Sequence, residues 1–192
     1  MEIRKKIFVV DDNRFTLLLL GRKLKKTFGC KIRLFTSAYD CIAALEKESP
    51  DVILSDYRLQ DDALHGMNGD HLLIKLKKYF PEIPVIIYSS TENAQMELQM
   101  MRFGADGVTS ANGEALFDKV TDRLKLQLKQ LSRLSNRKKI IWGTFIALAA
   151  ISAIFLYLAE YSQSRLIYFG SGILVVFLII HIAYAMKTGI PS

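Results

Sequence analysis

The sequence predicts an α/β chain: a doubly wound, five-stranded parallel sheet, then an extended helix and two apolar helices long enough to cross a membrane. Three observations predict it. Short apolar runs alternate five times with segments of helical spacing between residue 6 and about residue 125. Acidic residues recur where those runs end, at the edge where open parallel sheets place their ligands. The charge then changes abruptly along the chain. Met1 to Lys125 hold nineteen Lys/Arg against eighteen Asp/Glu, whereas Leu126 to Ser192 hold seven against the single Glu160. The pI near 9.4 therefore reports on the tail and is no sign of a nucleic-acid surface.

In order, Lys6 to Val10 reads as a strand, Phe15 to Thr27 as a helix, and Lys31 to Phe35 as a second strand. Ala38 to Lys47 reads as a helix, Val52 to Ser55 as the third strand, and Asp70 to Tyr79 as a helix. Val85 to Tyr88 is the fourth strand, Asn93 to Phe103 a helix, Gly107 to Ser110 a short fifth strand, and Glu114 begins a long helix. Each strand is followed by a helix, as a parallel sheet covered on both faces requires. The two cysteines, Cys30 and Cys41, lie in this part and are expected as small core residues in a reduced, cytosolic setting, with no signal peptide ahead of them.

The strand ends carry the chemistry. Asp11 and Asp12 follow the first strand, Asp56 ends the third within VILSDYRL, and Ser89 follows the fourth strand. A lone strand-end Asp is most simply a helix N-cap, and for Asp12 alone that reading is the better one. Three carboxylates converging on one edge repel each other unless protonated or bridged, and a hard divalent cation held through oxygen relieves that repulsion.

Five motifs, in order, resemble one family: IFVVDDN (Ile7 to Asn13), VILSDYRL (Val52 to Leu59), GMNG (Gly66 to Gly69), IPVIIYSS (Ile83 to Ser90) and FGADG (Phe103 to Gly107). Residues 1–125 resemble the receiver domain of two-component response regulators, the CheY-like family with its flavodoxin-like fold. The resemblance implies that Asp56 is the phosphoacceptor. It also implies that Asp11, Asp12, Asp56 and the backbone carbonyl of Arg58 hold Mg²⁺, and that Ser89 hydrogen-bonds the phosphoryl group when the domain switches. A sensor histidine kinase or a phosphotransfer protein is the implied donor.

Two departures stand out. Ala111 occupies the position where the family carries a lysine that pairs with the phosphoryl group, Asn112 follows where proline is usual, and Val108 replaces a switch aromatic. Lys119, about two turns along the last helix, is expected to lie too far away to substitute. Gly69 follows Asp56 by thirteen residues rather than about eight, and the extra length brings Asp61, Asp62 and His65 near the site. These are expected to form a solvated acidic loop.

Beyond residue 125 the last helix is expected to continue as a stalk over 114–139. Phe117, Leu124 and Leu131 recur every seven residues, with Val120, Leu128 and Leu134 three or four away, which suits self-association or a partner helix. Residues 140–159 and 166–186 are free of Asp, Glu, Lys and Arg and are each of membrane-crossing length, joined by a loop at 160–165 and followed by a tail at 187–192. Arg133, Arg137, Lys138, Lys139 and Lys187 flank them on one side against Arg165 on the other, which places both termini in the cytoplasm and the anchor in the inner membrane. Trp142, Tyr157, Tyr161 and Tyr168 fall at the expected interfaces, and Arg137 to Lys139 at the lipid headgroups. His181, within the second span, is expected to be a neutral imidazole bonded across the hairpin.

The expected function is that of a membrane-anchored, phosphate-accepting receiver signalling through protein contacts, without DNA binding and without catalysis beyond slow self-phosphorylation and dephosphorylation. A scaffold independent of phosphorylation is the alternative, favoured by the lost lysine and aromatic. A phosphohydrolase using Asp56 would need an added acid or base, and the sequence offers none.

Overall fold

The computed structural model describes residues 5–59, 69–162 and 180, without the side chains of residues 155, 156 and 159–162. Among the described residues five strands and five helices alternate: β1 (Lys6–Val10), α1 (Arg14–Phe28), β2 (Lys31–Phe35), α2 (Ala38–Leu45), β3 (Val52–Asp56), α3 (Gly69–Tyr79), β4 (Val85–Ser89), α4 (Ala94–Arg102), β5 (Gly107–Ser110) and α5 (Glu114–Ser162). The sheet is wholly parallel in the order β2-β1-β3-β4-β5. The doubly wound reading therefore holds, with the order reversing between β1 and β3, where such sheets open a crevice.

The strands formed where apolar residues run without alternation, because central parallel strands are covered on both faces. Phe8, Val10, Ile53, Val85 and Ile87 face a core built with Leu72, Leu73 and Leu76 of α3 and Met100 of α4. Ile7, Val9, Leu54 and Ile86 point to the other face and are equally buried, as are Leu17, Leu20 and Leu24 of α1 and Leu116, Val120 and Leu124 of α5. Both cysteines are free and buried; burial pushes the Cys41 thiol up to about 12, so it is an inert core group.

Local signals set the helix ends. Asn13 caps α1, its side-chain oxygen accepting from the amides of Phe15 and Thr16 at 3.0 and 3.2 Å. Asp12 is thus relieved of the capping role. Gly29 closes α1 in the left-handed region at φ 59°. The FGADG motif is structural: Asp106 binds the Lys77 ammonium at 2.6 Å and the Val85 amide at 2.8 Å, at the end of β4 remote from Asp56.

The chain divides into two compact units, residues 1–126 and 127–192. In the first unit α5 buries an apolar stripe. Past residue 126 its side chains are mostly exposed, with Leu134 half uncovered. The expected pair of membrane-crossing helices is not supported: among the described residues no helix is long and apolar enough to cross a membrane. Residues 140–159 are helical as part of α5, and that helix runs on through Ser162, past the expected start of the loop. The second expected span, apart from Ile180, and His181 lie outside the described residues, as does the 61–65 insertion.

Candidate functional site

Parallel register assembles the site. Val10 lies opposite Ser55, Asp56 opposite Tyr88, and Ser89 opposite Ser110, so the ends of β1, β3, β4 and β5 share one edge. Asp11 and Asp12 leave β1 at that edge. One carboxylate oxygen from each of Asp11, Asp12 and Asp56 lies within 4.8 Å of the others.

Asp11 is buried, and each of its oxygens is held. Oδ1 accepts from the Asn13 amide at 2.8 Å and Oδ2 from the Tyr88 hydroxyl at 2.6 Å. Burial raises its pKa despite those two donors, and Asp12 adds to the rise. The Asp56 carboxyl is pushed up to about 7, first by burial and then by the charges of Asp11 and Asp12, against the amides of Arg58 and Tyr57 that favour its ionised form. Three hard oxygen donors gathered this closely, two of them with pKa values raised by burial first and by their neighbours' charge second, make a site that fits a divalent cation such as Mg²⁺.

Around this cluster, Ser89 is buried and its Oγ accepts from the Thr91 amide at 3.2 Å, which leaves its own hydrogen to donate. The Arg58 guanidinium donates to Thr91 Oγ1 at 2.8 Å, tying the segment after Asp56 to the segment after Ser89. Gly69, despite its thirteen-residue separation from Asp56, stands against it. Its amide donates to the Tyr57 carbonyl at 3.1 Å, and a Cβ there would lie 2.5 Å from the Asp56 carbonyl oxygen and 2.7 Å from that of Tyr57.

At the departed positions, Ala111 is buried with its amide on the Ser89 carbonyl at 3.2 Å, and Val108 packs half-buried against the core. Lys119 comes nearer than its sequence position suggests. Its ammonium donates to the Ser110 carbonyl at 2.9 Å and meets Glu92 at 3.2 Å, beside Ala111. The sequence reading missed Tyr88 altogether, because a tyrosine inside an apolar strand reads as core.

A family model for the response regulator receiver domain matches residues 7–112, more than half of the chain. The chain belongs to the response regulator receiver family. Among curated relatives, the DNA-binding transcriptional regulator NtrC of Proteus hauseri is 34% identical over 99 residues, covering 52% of this chain and 20% of that protein. The protein-glutamate methylesterase/protein-glutamine glutaminase of Treponema denticola is 31% identical over 144 residues, covering 72% of this chain and 37% of the relative. The chain thus spans only a minor part of the length of these relatives. Among solved structures, the receiver domain of NtrX from Brucella abortus aligns with TM-score 0.57 at 26% identity, over 64% of this chain and 98% of that one. The BeF3-activated DrrB receiver domain aligns with TM-score 0.55 at 23% identity, over 66% and 99%, and shares the fold.

Proposed function

We propose that this receiver accepts a phosphoryl group on Asp56, with Mg²⁺ held by Asp11, Asp12, Asp56 and the Arg58 carbonyl, and passes the signal on by protein contacts. The observation that carries the reading is the convergence of the three carboxylates within 4.8 Å at the mouth of the sheet. A phosphohistidine of a sensor kinase or phosphotransfer protein is the natural donor. An Asp56 oxygen attacks the phosphorus while the bond to the leaving nitrogen breaks, and a carboxylate does this only when ionised and when its neighbours' charge is offset. When bound, Mg²⁺ supplies that offset and draws charge from the phosphoryl oxygens. Ser89 then donates to the phosphoryl group.

Two contacts lead outward, one to α5 and one to α4. Glu92, one residue past the Thr91 that Arg58 grips, meets Lys119 on α5, and Ser110 bonds Glu97 of α4. Movement at Ser89 would therefore tug on both helices without the usual lysine. Beyond residue 126, the exposed apolar face of α5 suits a second copy or a partner helix. Nothing in this reading calls for DNA binding or for catalysis other than phosphoryl turnover on Asp56.

Anchoring at the cytoplasmic membrane is part of the same proposal. It rests on the uncharged runs 140–159 and 166–186 and on Ile140, Ile146 and Ile154, each more than half exposed, which call for lipid or protein around them. The full chain should sediment with membranes and resist extraction at alkaline pH; release by alkali would remove the anchor from the account.

Incubated with Mg²⁺ and a small acyl-phosphate donor, the full chain should gain the mass of one phosphoryl group, and Asp56→Asn should gain none. An unchanged mass with both the small donor and a phosphorylated phosphotransfer protein would favour the second reading, a phosphorylation-independent scaffold, which the alanine at 111 supports.

A further inference from the structure

We propose that Tyr88 is a positioning residue of the acidic site, holding Asp11 in the orientation that binds the divalent cation. The proposal rests on the reading of Asp11 as a cation ligand. Tyr88 is 1% exposed, sits opposite Asp56 in the β3–β4 register, and aims its hydroxyl away from solvent onto Asp11 Oδ2 at 2.6 Å. With the Asn13 amide on Oδ1, both oxygens of one carboxylate are pinned from outside the cluster. The lone pairs left over are the ones a cation uses, and a ligand so held needs little reorganisation to bind.

A purely structural ring would have no use for that hydroxyl. A phenylalanine fills the same space, and a buried phenolic O–H is retained at a cost unless it has a partner. The adjoining position on β5 is matched to it. Tyr88 pairs with Thr109, and Ala111, the residue that follows β5, is small and buried. A large donor on β4 and a small residue just past β5 thus stand at the edge where the resemblance placed a lysine. Here the fixed donor serves the metal ligand.

The test is a Mg²⁺ titration of the full chain by calorimetry, comparing the wild type with Tyr88→Phe, Asp11→Asn and the double variant. Thermal unfolding without the cation is measured in parallel. Tyr88→Phe should weaken Mg²⁺ binding about 10–100-fold, the range expected when the orienting partner of a metal ligand is removed. In the Asp11→Asn background the same change should alter affinity less than about twofold, since the hydroxyl acts only through Asp11. Tyr88→Met, which removes the donor with a different shape, should show the same weakening, which separates the missing hydroxyl from repacking. Unchanged or tighter binding in Tyr88→Phe would overturn the role, as would an equal loss in the Asp11→Asn background. A wild-type chain that binds no Mg²⁺ would overturn the site reading together with this inference.

Discussion

Asp56→Asn, studied without divalent cations, is expected to be more stable than the wild type at pH 8, by about 2 kcal/mol. The carboxyl of Asp56 is pushed from 3.8 to about 7 in the folded chain, chiefly by burial and then by Asp11. Below pH 4 the group is protonated whether the chain is folded or not, and it contributes nothing to pH dependence. Between about pH 4 and 7 the unfolded chain releases the proton first, so stability falls as pH rises through that window and stays lowered above it. Asparagine removes the charge and hence the loss. The full shift would be worth about 4 kcal/mol, and solvent at the sheet edge and the charge shared with Asp11 reduce it to about half. Saturating Mg²⁺ should reverse the ranking, because the wild type gains a bound cation and the variant lacks a ligand. Urea unfolding at pH 5 and pH 8, with and without Mg²⁺, checks both signs. An Asp56→Asn variant less stable than the wild type at pH 8 without cations would contradict the crowded-carboxylate description.

Gly69→Ala should be the most damaging small substitution near the site. Its new methyl would meet the Asp56 carbonyl oxygen at 2.5 Å and the Tyr57 Cα at 2.8 Å, contacts with backbone that no side-chain rotation relieves. A cost of about 3 kcal/mol follows from overpacking of this kind, a fall in Tm on the order of 10 °C for a domain of this size. The displaced segment is the one that carries Asp56 and Arg58, so phosphoryl uptake should slow by about tenfold or more as the nucleophile shifts. Circular-dichroism melting and the rate of mass gain measure the two effects. A variant with wild-type Tm would show that α3 and the segment after Asp56 do not press together as described.

The sheet was legible because β1, β3 and β4 are buried on both faces and so appear as unbroken apolar runs, and the acidic site was legible because strand ends share an edge. The thirteen-residue step to Gly69 obscured less than it threatened, since the glycine still reaches the backbone of Asp56 and Tyr57. Tyr88 was hidden by its setting. Only the pairing of β3 with β4 shows that its ring lies on the side of Asp56 and Asp11 and not in the core made with α3. Lys119 reaches back along its helix: side chains on a helix lean toward its N-terminus, and the lysine stem carries the ammonium to the Ser110 carbonyl. Asp12 illustrates a local choice between neighbours, as Asn13 takes the cap and leaves Asp12 in the cluster. In the tail, residues 160–162 continue α5, because EYS offers no glycine or proline to end a helix where polarity alone suggested a loop.

The central claim is that Asp56, and no other side chain, takes the phosphoryl group. Its most direct test is to treat the full chain with Mg²⁺ and an acyl-phosphate donor, reduce the product with borohydride, and map the peptides by mass spectrometry. An aspartyl phosphate is reduced to homoserine, and the account predicts homoserine at position 56 alone, dependent on Mg²⁺ and absent when the donor is withheld. Homoserine at another aspartate, or labelling at 56 that is indifferent to Mg²⁺, would contradict it.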